Sequence, residues 1–445
     1  MRPLPRTTPL EPWIAGRIGL ARGQRPTPQR LAAAQLQRLN AVLALAARHS
    51  PFYRRRWQGV PPRIERLDQM PRLPLTTAKD LQEDPLQFLA ARRAEVARVV
   101  TLHTSGTSGT PKRLHFSAAD LADTIAFFRY GMATLVPPGR KVLILLPGER
   151  PDSVGDLLRR ALAAMDIGGI VHGPVTDPEA TLATIRDQGI DALVGVPVQV
   201  LALARHPQGA RLPAGTPLSV LLTTDHVPPP VVREIRRIWG CEVFQHYGMT
   251  EMGYGGAVSC SAHDGYHLRE SDLLFEIVDP VTGGPLGPGR TGEVVFSTLT
   301  PRAMPLIRYR TGDLAAWRDT PCPCGTVLRR MGWVQGRRQA AVRLADGIRL
   351  TLTDLDNVLF DLPGVVDFDA ALTRFKEGDQ LRIRLYAAAG LPPPDGHSAA
   401  AALTGIPAVR AALAGGVMTA PRISVAQWPS PRAATAKRTI QDLRV

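Results

Sequence analysis

Thr104-Ser105-Gly106-Thr107-Ser108-Gly109-Thr110-Pro111-Lys112 follows directly on a β-rich run at 99–102 and concentrates small, hydroxylated and flexible residues. Glycines let backbone N–H groups close on an anion, Ser and Thr hydroxyls donate further hydrogen bonds, and Lys112 adds a positive charge. Such a loop can wrap phosphate oxygens. It is not a Walker A loop, because Pro111 rather than Gly precedes Lys112 and Arg113 rather than Ser or Thr follows it.

Outward from this loop, β-rich runs at 99–102, 142–146, 192–196, 219–222 and 243–245 alternate with helical patterns. That alternation predicts a mostly parallel sheet covered by helices, with ligands collecting where the strands end. Thr27 and Pro28 read as the cap and first turn of a helix with an apolar face of Leu31, Leu36, Leu39, Leu43 and Ala46. Ser117 and Asp120 have the spacing of a capping box, and Pro228 to Pro230 precede a helix carrying Val231, Ile235 and Ile238. Between about 254 and 335 the helical period gives way to Gly-Pro turns and strand-like runs, which predicts antiparallel hairpins. From 336 the pattern is α+β, with runs at 365–372 and 381–386 and an Ala-rich helix over about 399–413. The expectation is an α/β fold: a large N-terminal domain, 1–335, with mostly parallel sheets and a β-rich part, and a small mobile C-terminal α+β domain, 336–445.

The chain has 445 residues, 44% hydrophobic and 21% charged, a globular composition. Its formal charge of +15 comes from Arg spread along the chain rather than from a dense basic run interleaved with aromatics. Nucleic-acid binding is therefore not expected, and the field can equally draw in nucleotides. No stretch is long and apolar enough for a signal peptide or a membrane span, so a cytoplasmic protein without a membrane partner is the default expectation.

Two more clusters carry chemistry. Tyr247-Gly248-Met249-Thr250-Glu251 follows the last run of the parallel region; Tyr247 can stack on a base, and Glu251 can hold a cation. Magnesium uses one or two carboxylates plus phosphate oxygens, so a single Glu beside a phosphate loop suffices. Tyr309-Arg310-Thr311-Gly312-Asp313 places a carboxylate after a tight turn, where its oxygens can accept two ribose hydroxyls. Alone, each cluster is also compatible with an ordinary turn.

Together, in this order, the three resemble the superfamily of acyl-CoA synthetases, peptide-synthetase adenylation domains and luciferases. "HSPFYRRRW" (49–57), "HYGMTE" (246–251), "YRTGDL" (309–314) and "CPCG" (322–325) most resemble the phenylacetate-CoA ligase group. The resemblance implies ATP, Mg²⁺ and coenzyme A as cofactors and a carboxylic acid as substrate. By position it implies that Thr104, Ser105, Gly106, Thr107, Ser108, Gly109 and Lys112 close over the phosphates and that Tyr247 and Gly248 border adenine. It further implies that Thr250 and Glu251 serve the catalytic turn, with Glu251 on magnesium, and that Asp313 holds the ribose. Asp225, in "TTDHVP", borders the nucleotide, and Arg337, in "GRRQ", opens the interdomain hinge. Two positions depart from the pattern: Gln339 stands where the hinge usually carries Asp, and the register of "PRAATAKRTI" puts Thr435 at the catalytic Lys, which leaves Lys437 as the catalytic candidate.

Cys260, His267, Cys322 and Cys324 offer the ligand set of a closed structural zinc site, with His263 as a nearby alternative and metal-free thiols as the plain reading. The resemblance implies the same set, which some relatives of phenylacetate-CoA ligases share, with His267 matching better than His263. An apolar, aryl-type acid pocket is expected between a helix with Phe127, Phe128 and Tyr130 and the stretch 254–257. The expected reaction forms an acyl-adenylate and then a thioester with coenzyme A. A carrier-protein thiol as acceptor and a non-catalytic nucleotide-binding accessory protein are the alternatives, and the chain is compatible with a homodimer.

Overall fold

The computed structural model describes residues 7–58, 63–102, 111–338, 340–344, 347–375, 378–388, 390–428 and 438–444. Two compact units are each drawn from separate stretches, the first from 1–138, 150–166 and 244–334, the second from 139–149, 167–243 and 335–445.

The second unit holds four parallel strands in the order Gly168–Val171, Lys141–Ile144, Ala192–Gly195, Ser219–Leu222. The last two are buried throughout, so they read as short apolar runs rather than as an alternation. Helices Pro178–Asp187, Pro197–Arg205 and Pro229–Trp239 each open on a proline, where its missing N–H costs no helical hydrogen bond. Their apolar faces, including Leu182, Leu201, Ile235 and Trp239, share one core with Leu355, Phe360 and Phe368 of the C-terminal segment. That segment is α+β, with strand order Met418–Gln427, Gly378–Ala387, Val365–Phe375, Ile440–Asp442. The expected Ala-rich helix is two helices, Gly396–Gly405 and Pro407–Ala414. Pro407 forces the break: Ile406 before it is extended, at φ −65° and ψ 125°.

In the first unit, Val96–Leu102 and Lys112–Ser117 pair antiparallel. The run at 99–102 therefore stands in a hairpin and not in the parallel sheet. Nine intervening residues are too few for the crossover that parallel neighbours need. Ser117 and Asp120 make the expected capping box at the start of helix Ala118–Met132, and the Thr27 side chain accepts the Arg30 N–H at the start of helix Pro28–His49. The region from 254 is β-rich as expected. Leu273–Val278, Gly292–Thr298 and Tyr309–Ala315 form one antiparallel sheet. Ala257–Ser259, Tyr266–Leu268 and Arg330–Met331 form another beside the end of strand Glu242–Tyr247. Among the described residues, no helix is long and apolar enough to cross a membrane.

Candidate active site

Strand Glu242–Tyr247 runs into Gly248, where a side chain has no room: a Cβ would stand 2.4 Å from the Tyr254 carbonyl oxygen and 2.8 Å from the His246 ring. The short 3₁₀ turn Thr250–Met252 follows and turns Glu251 inward, so that its side chain is 2% exposed. Lys112, the first residue after the loop of the opening cluster, donates its ammonium to Glu251 Oε1. Tyr309 donates its hydroxyl to the same oxygen at 3.1 Å. A carboxylate this buried is sustained by those two donors, and breaking such a pair by removing one partner costs about 3–5 kcal/mol.

Strand Tyr309–Ala315 alternates in burial, with Tyr309, Thr311 and Asp313 on the inner face. Between the pairs Val295↔Arg310 and Glu293↔Leu314 the register shifts, and Gly312 sits at φ +78°. The expected tight turn is thus a bulge within a strand, where glycine supplies the left-handed residue. The bulge presents the Asp313 carboxylate to Tyr247, whose hydroxyl donates to Oδ2 at 3.0 Å. The Asp313 N–H donates to Thr311 Oγ1 at 3.0 Å, and that hydroxyl donates to the Val294 carbonyl at 2.8 Å. Tyr266 lies 5.9 Å from Tyr247 between ring centroids, its phenol pushed up by burial and by the Asp313 charge.

Tyr247 and Glu251 therefore meet Tyr309 and Asp313 along one strand, with Lys112 joining them from the hairpin. Thr104, Ser105, Gly106, Thr107, Ser108 and Gly109 lie outside the described residues, as do Gln339, Thr435 and Lys437. Thr250 is half-buried at the start of the Glu251 turn.

Asp225 and Arg337 belong to the second unit. Arg337 is half-buried in the short strand Gly336–Arg337. Asp225 follows strand Ser219–Leu222; its Oδ1 accepts the His226 N–H at 2.8 Å and its Oδ2 accepts Arg438 Nε at 3.2 Å. Arg438 also donates to both oxygens of Asp356 and lies over the rings of Phe360 and Phe368. The sequence reading singles out neither Tyr309 nor Arg438. Period-two alternation from Asp313 back through Thr311 points to Tyr309, whereas nothing local points to Arg438.

On the acid side, Phe127 packs so closely on the 254–257 stretch that a Cβ at Gly255 would stand 2.3 Å from its ring. Tyr130 stacks on Trp13 at 5.5 Å and joins the N-terminal helix rather than that stretch. Tyr254 stacks on Phe116 at 5.7 Å. His246 lies between Phe127 and Phe128, where burial pushes its imidazole down to about 4 and keeps it neutral at pH 7.

Cys260, His267, Cys322 and Cys324 are all buried, with their ligand atoms within 4.8 Å of one another. Cys260 Sγ stands 3.6 Å from Cys322 Sγ, and Cys324 Sγ 3.5 Å from His267 Nε2. A tetrahedron with zinc–sulfur bonds of ~2.3 Å has sulfur–sulfur edges of about 3.8 Å, so the donor set fits zinc. Burial would lower the His267 imidazole, but hydrogen bonds and charge from Cys322 and Cys324 outweigh it and push it up to about 9. His263 is not in the cluster; it packs on Phe244 at 4.7 Å. The N-terminal helix Leu10–Arg17 grips the cysteine turn. Glu11 accepts the Val327 N–H at 2.9 Å and the Thr326 hydroxyl, and Thr7 donates to the Cys324 carbonyl at 3.0 Å.

Residues 35–300 match the family model described as AMP-binding enzyme. The chain belongs to the AMP-binding enzyme family. Within that family it falls in the phenylacetate-CoA ligase group. It is 31% identical over 350 residues to phenylacetate-coenzyme A ligase of Thermus thermophilus, covering 76% of this chain and 77% of that protein. It is 30% identical over 319 residues to phenylacetate-coenzyme A ligase of Escherichia coli, covering 69% and 71%. Among solved structures it resembles 2-hydroxyisobutyryl-CoA ligase in the postadenylation state with 2-HIB-AMP, at a TM-score of 0.75, with 22% identity and coverage of 94% and 90%. That last likeness is one of fold. Strand Tyr309–Ala315 carries both polar groups described above, Tyr309 on Glu251 and Asp313 on Tyr247.

Proposed function

We propose that this AMP-binding enzyme is an AMP-forming acid–thiol ligase: it activates an aryl or other apolar carboxylic acid with ATP and transfers the acyl group to coenzyme A. The observation that carries the reading is the strand Tyr309–Ala315, which holds Glu251 through Tyr309 and reaches Tyr247 through Asp313. In this reading a phosphate-side carboxylate and a ribose-side carboxylate share one rigid support, as a single bound nucleotide requires.

The acid's carboxylate attacks the α-phosphorus of ATP and pyrophosphate leaves; the thiolate of coenzyme A then attacks the acyl-adenylate carbonyl and AMP leaves. Asp313 accepts the ribose hydroxyls, oriented by Tyr247. Lys112 and residues 104–109 close on the phosphates, and the half-buried Thr250 lines the catalytic turn. Glu251, already engaged by the Lys112 ammonium, is suited to a magnesium ion, which when bound would neutralise charge on the departing pyrophosphate. Lys437 is our candidate for the cation that stabilises charge developing at the acid and α-phosphate. Asp225 and Arg337 border the nucleotide, and 1–335 and 336–445 are the functional domains, hinged at 336–339. A structural zinc on Cys260, His267, Cys322 and Cys324 would pin the hairpins of the first unit without touching the reaction. We place the enzyme in the cytoplasm, acting on free small molecules.

The test is a pyrophosphate-release screen over aryl, fatty and amino acids, with and without coenzyme A, on wild type and Lys437→Ala. Acid-dependent release with consumption of coenzyme A supports the ligase. Acid-dependent pyrophosphate exchange without consumption of coenzyme A favours a carrier-protein thiol, and nucleotide binding with no release favours an accessory protein. An unaffected Lys437→Ala removes only that residue's assignment.

A further inference from the structure

Six arginine side chains are buried among the described residues: Arg205, Arg269, Arg302, Arg308, Arg330 and Arg438. Five pair with a carboxylate, on Glu234, Asp272, Glu276, Asp264 and Asp356 respectively in that order without Arg302. Arg302 has no ion pair among the described residues, and its Nε and Nη2 are buried with no hydrogen-bond partner. An isolated buried charge is costly, and a guanidinium does not escape the cost by losing its proton.

The surroundings deepen the imbalance. Arg302 lies beside Gly253, where a Cβ would stand 2.7 Å from its Nη1, and burial and the Arg269 charge both push its guanidinium down. The carboxylates of this region are engaged elsewhere. Asp120 accepts the Ser117 N–H and hydroxyl and the Ala303 N–H. Asp272 takes Arg17 and Arg269, and Asp123 takes Arg17. Among the described residues, Arg17, Arg38, Arg269 and Arg302 are thus set against Asp120, Asp123 and Asp272, four guanidinium charges against three carboxylates.

The free donors have a shape. Nε–H and Nη2–H lie on one edge of the planar guanidinium and point in parallel, the fork that matches two oxygens of a carboxylate or phosphate. Arg269 Nη1 and the Thr300 hydroxyl are likewise buried without a partner. Thr300 and Pro301, next in sequence to Arg302, line a recess of about 520 Å³ together with Arg17, Arg38, Asp120 and Asp123.

We propose that Arg302, with Thr300 and Arg269, forms a binding site for a small oxyanion of the carboxylate or phosphate type, built from residues other than those of the adenylate site. The bound anion takes the Nε and Nη2 donors and cancels the excess charge, so it stabilises the first unit.

Thermal unfolding of the full-length protein in sodium formate or sodium phosphate, at constant ionic strength set with a bulky organic salt, tests this. The expected result is saturable stabilisation by both anions, following mass action for a ligand that binds only the folded state. Formate stabilisation is expected to persist with AMP at saturation, whereas a phosphate effect abolished by AMP would belong to the nucleotide site. Arg302→Met is expected to remove the formate response, and Arg302→Lys, which keeps the charge without the fork, to raise the half-saturating formate about tenfold. Thr300→Val, which leaves every charge in place, is expected to raise it as well and stands in should Arg302→Met not fold. A wild-type midpoint indifferent to formate, the mark of a water-filled site, would overturn the proposal, and so would an unchanged response in Arg302→Met or Thr300→Val.

Discussion

Arg438 and Asp225 are separated by 213 positions in the chain, yet Arg438 Nε stands 3.2 Å from the Asp225 carboxylate. The same guanidinium grips Asp356 at 2.7 and 3.1 Å and is fully enclosed. Arg438 directly follows Lys437 in the sequence, and this clamp fixes the start of the last described stretch, 438–444.

Replacing Arg438 by Met leaves two carboxylates facing each other without their cation. Unfolding free energy is expected to fall by about 3–5 kcal/mol, read by urea titration. Arg438→Lys keeps the charge but not the bidentate geometry and is expected to recover part of that loss. A Met variant as stable as wild type would show that the clamp contributes nothing.

The Tyr247 hydroxyl orients Asp313 at 3.0 Å, and a hydrogen bond to a carboxylate is worth about 1.5–3 kcal/mol. Tyr247→Phe keeps the ring and removes this hydrogen bond to the carboxylate. AMP binding, measured by calorimetry, is expected to weaken about tenfold or more, with the fold retained. An unchanged Kd would mean that Asp313 needs no such support.

Asp272 carries an acid limb of stability. Burial raises its carboxyl, but the neighbouring Arg269 and Arg17 charges outweigh burial and hold it at about 2. A carboxyl depressed in the folded state contributes fully above its unfolded value near 4 and loses that contribution as pH falls toward 2. The contribution is about 2 kcal/mol. Unfolding measured between pH 6 and pH 2, a range of roughly four units around these values, is expected to show the decline, and Asp272→Asn is expected to lower the plateau and flatten that limb.

Elemental analysis is expected to find about one zinc per chain in wild type and none in Cys322→Ser, as a four-ligand site predicts. Chelation is expected to lower the unfolding midpoint of wild type and leave that of the variant unmoved. A metal-free wild type that is as stable as the variant would return the cluster to plain thiols.

Local signals in the sequence translate well. Thr27 with Pro28 and Ser117 with Asp120 are caps closed within three residues, and the Cys322 and Cys324 spacing survives any tertiary arrangement. The clusters around Glu251 and Asp313 are legible as chemistry for the same reason. What stays hidden is long-range. The Tyr309 hydroxyl on Glu251 and the Arg438 clamp join residues whose neighbours in sequence carry no trace of the partner. The run at 99–102 has the composition of any strand, and only the short distance to 112 separates a hairpin from a crossover. The interleaving of the two units is nearly silent: Pro137-Pro138-Gly139 marks a turn at 138, but nothing in it tells a change of unit from an ordinary loop.

The grip of Glu11 on Thr326 spans 315 positions. At roughly 5–20 residues per second of synthesis, about 15 to 60 seconds separate the emergence of the two. Early in that interval Trp13, buried in the finished protein, lacks even Phe127 and Tyr130, the rings it packs on. The contacts that complete the opening helix therefore form in two stages, the aromatic ones first and the grip on the cysteine turn last.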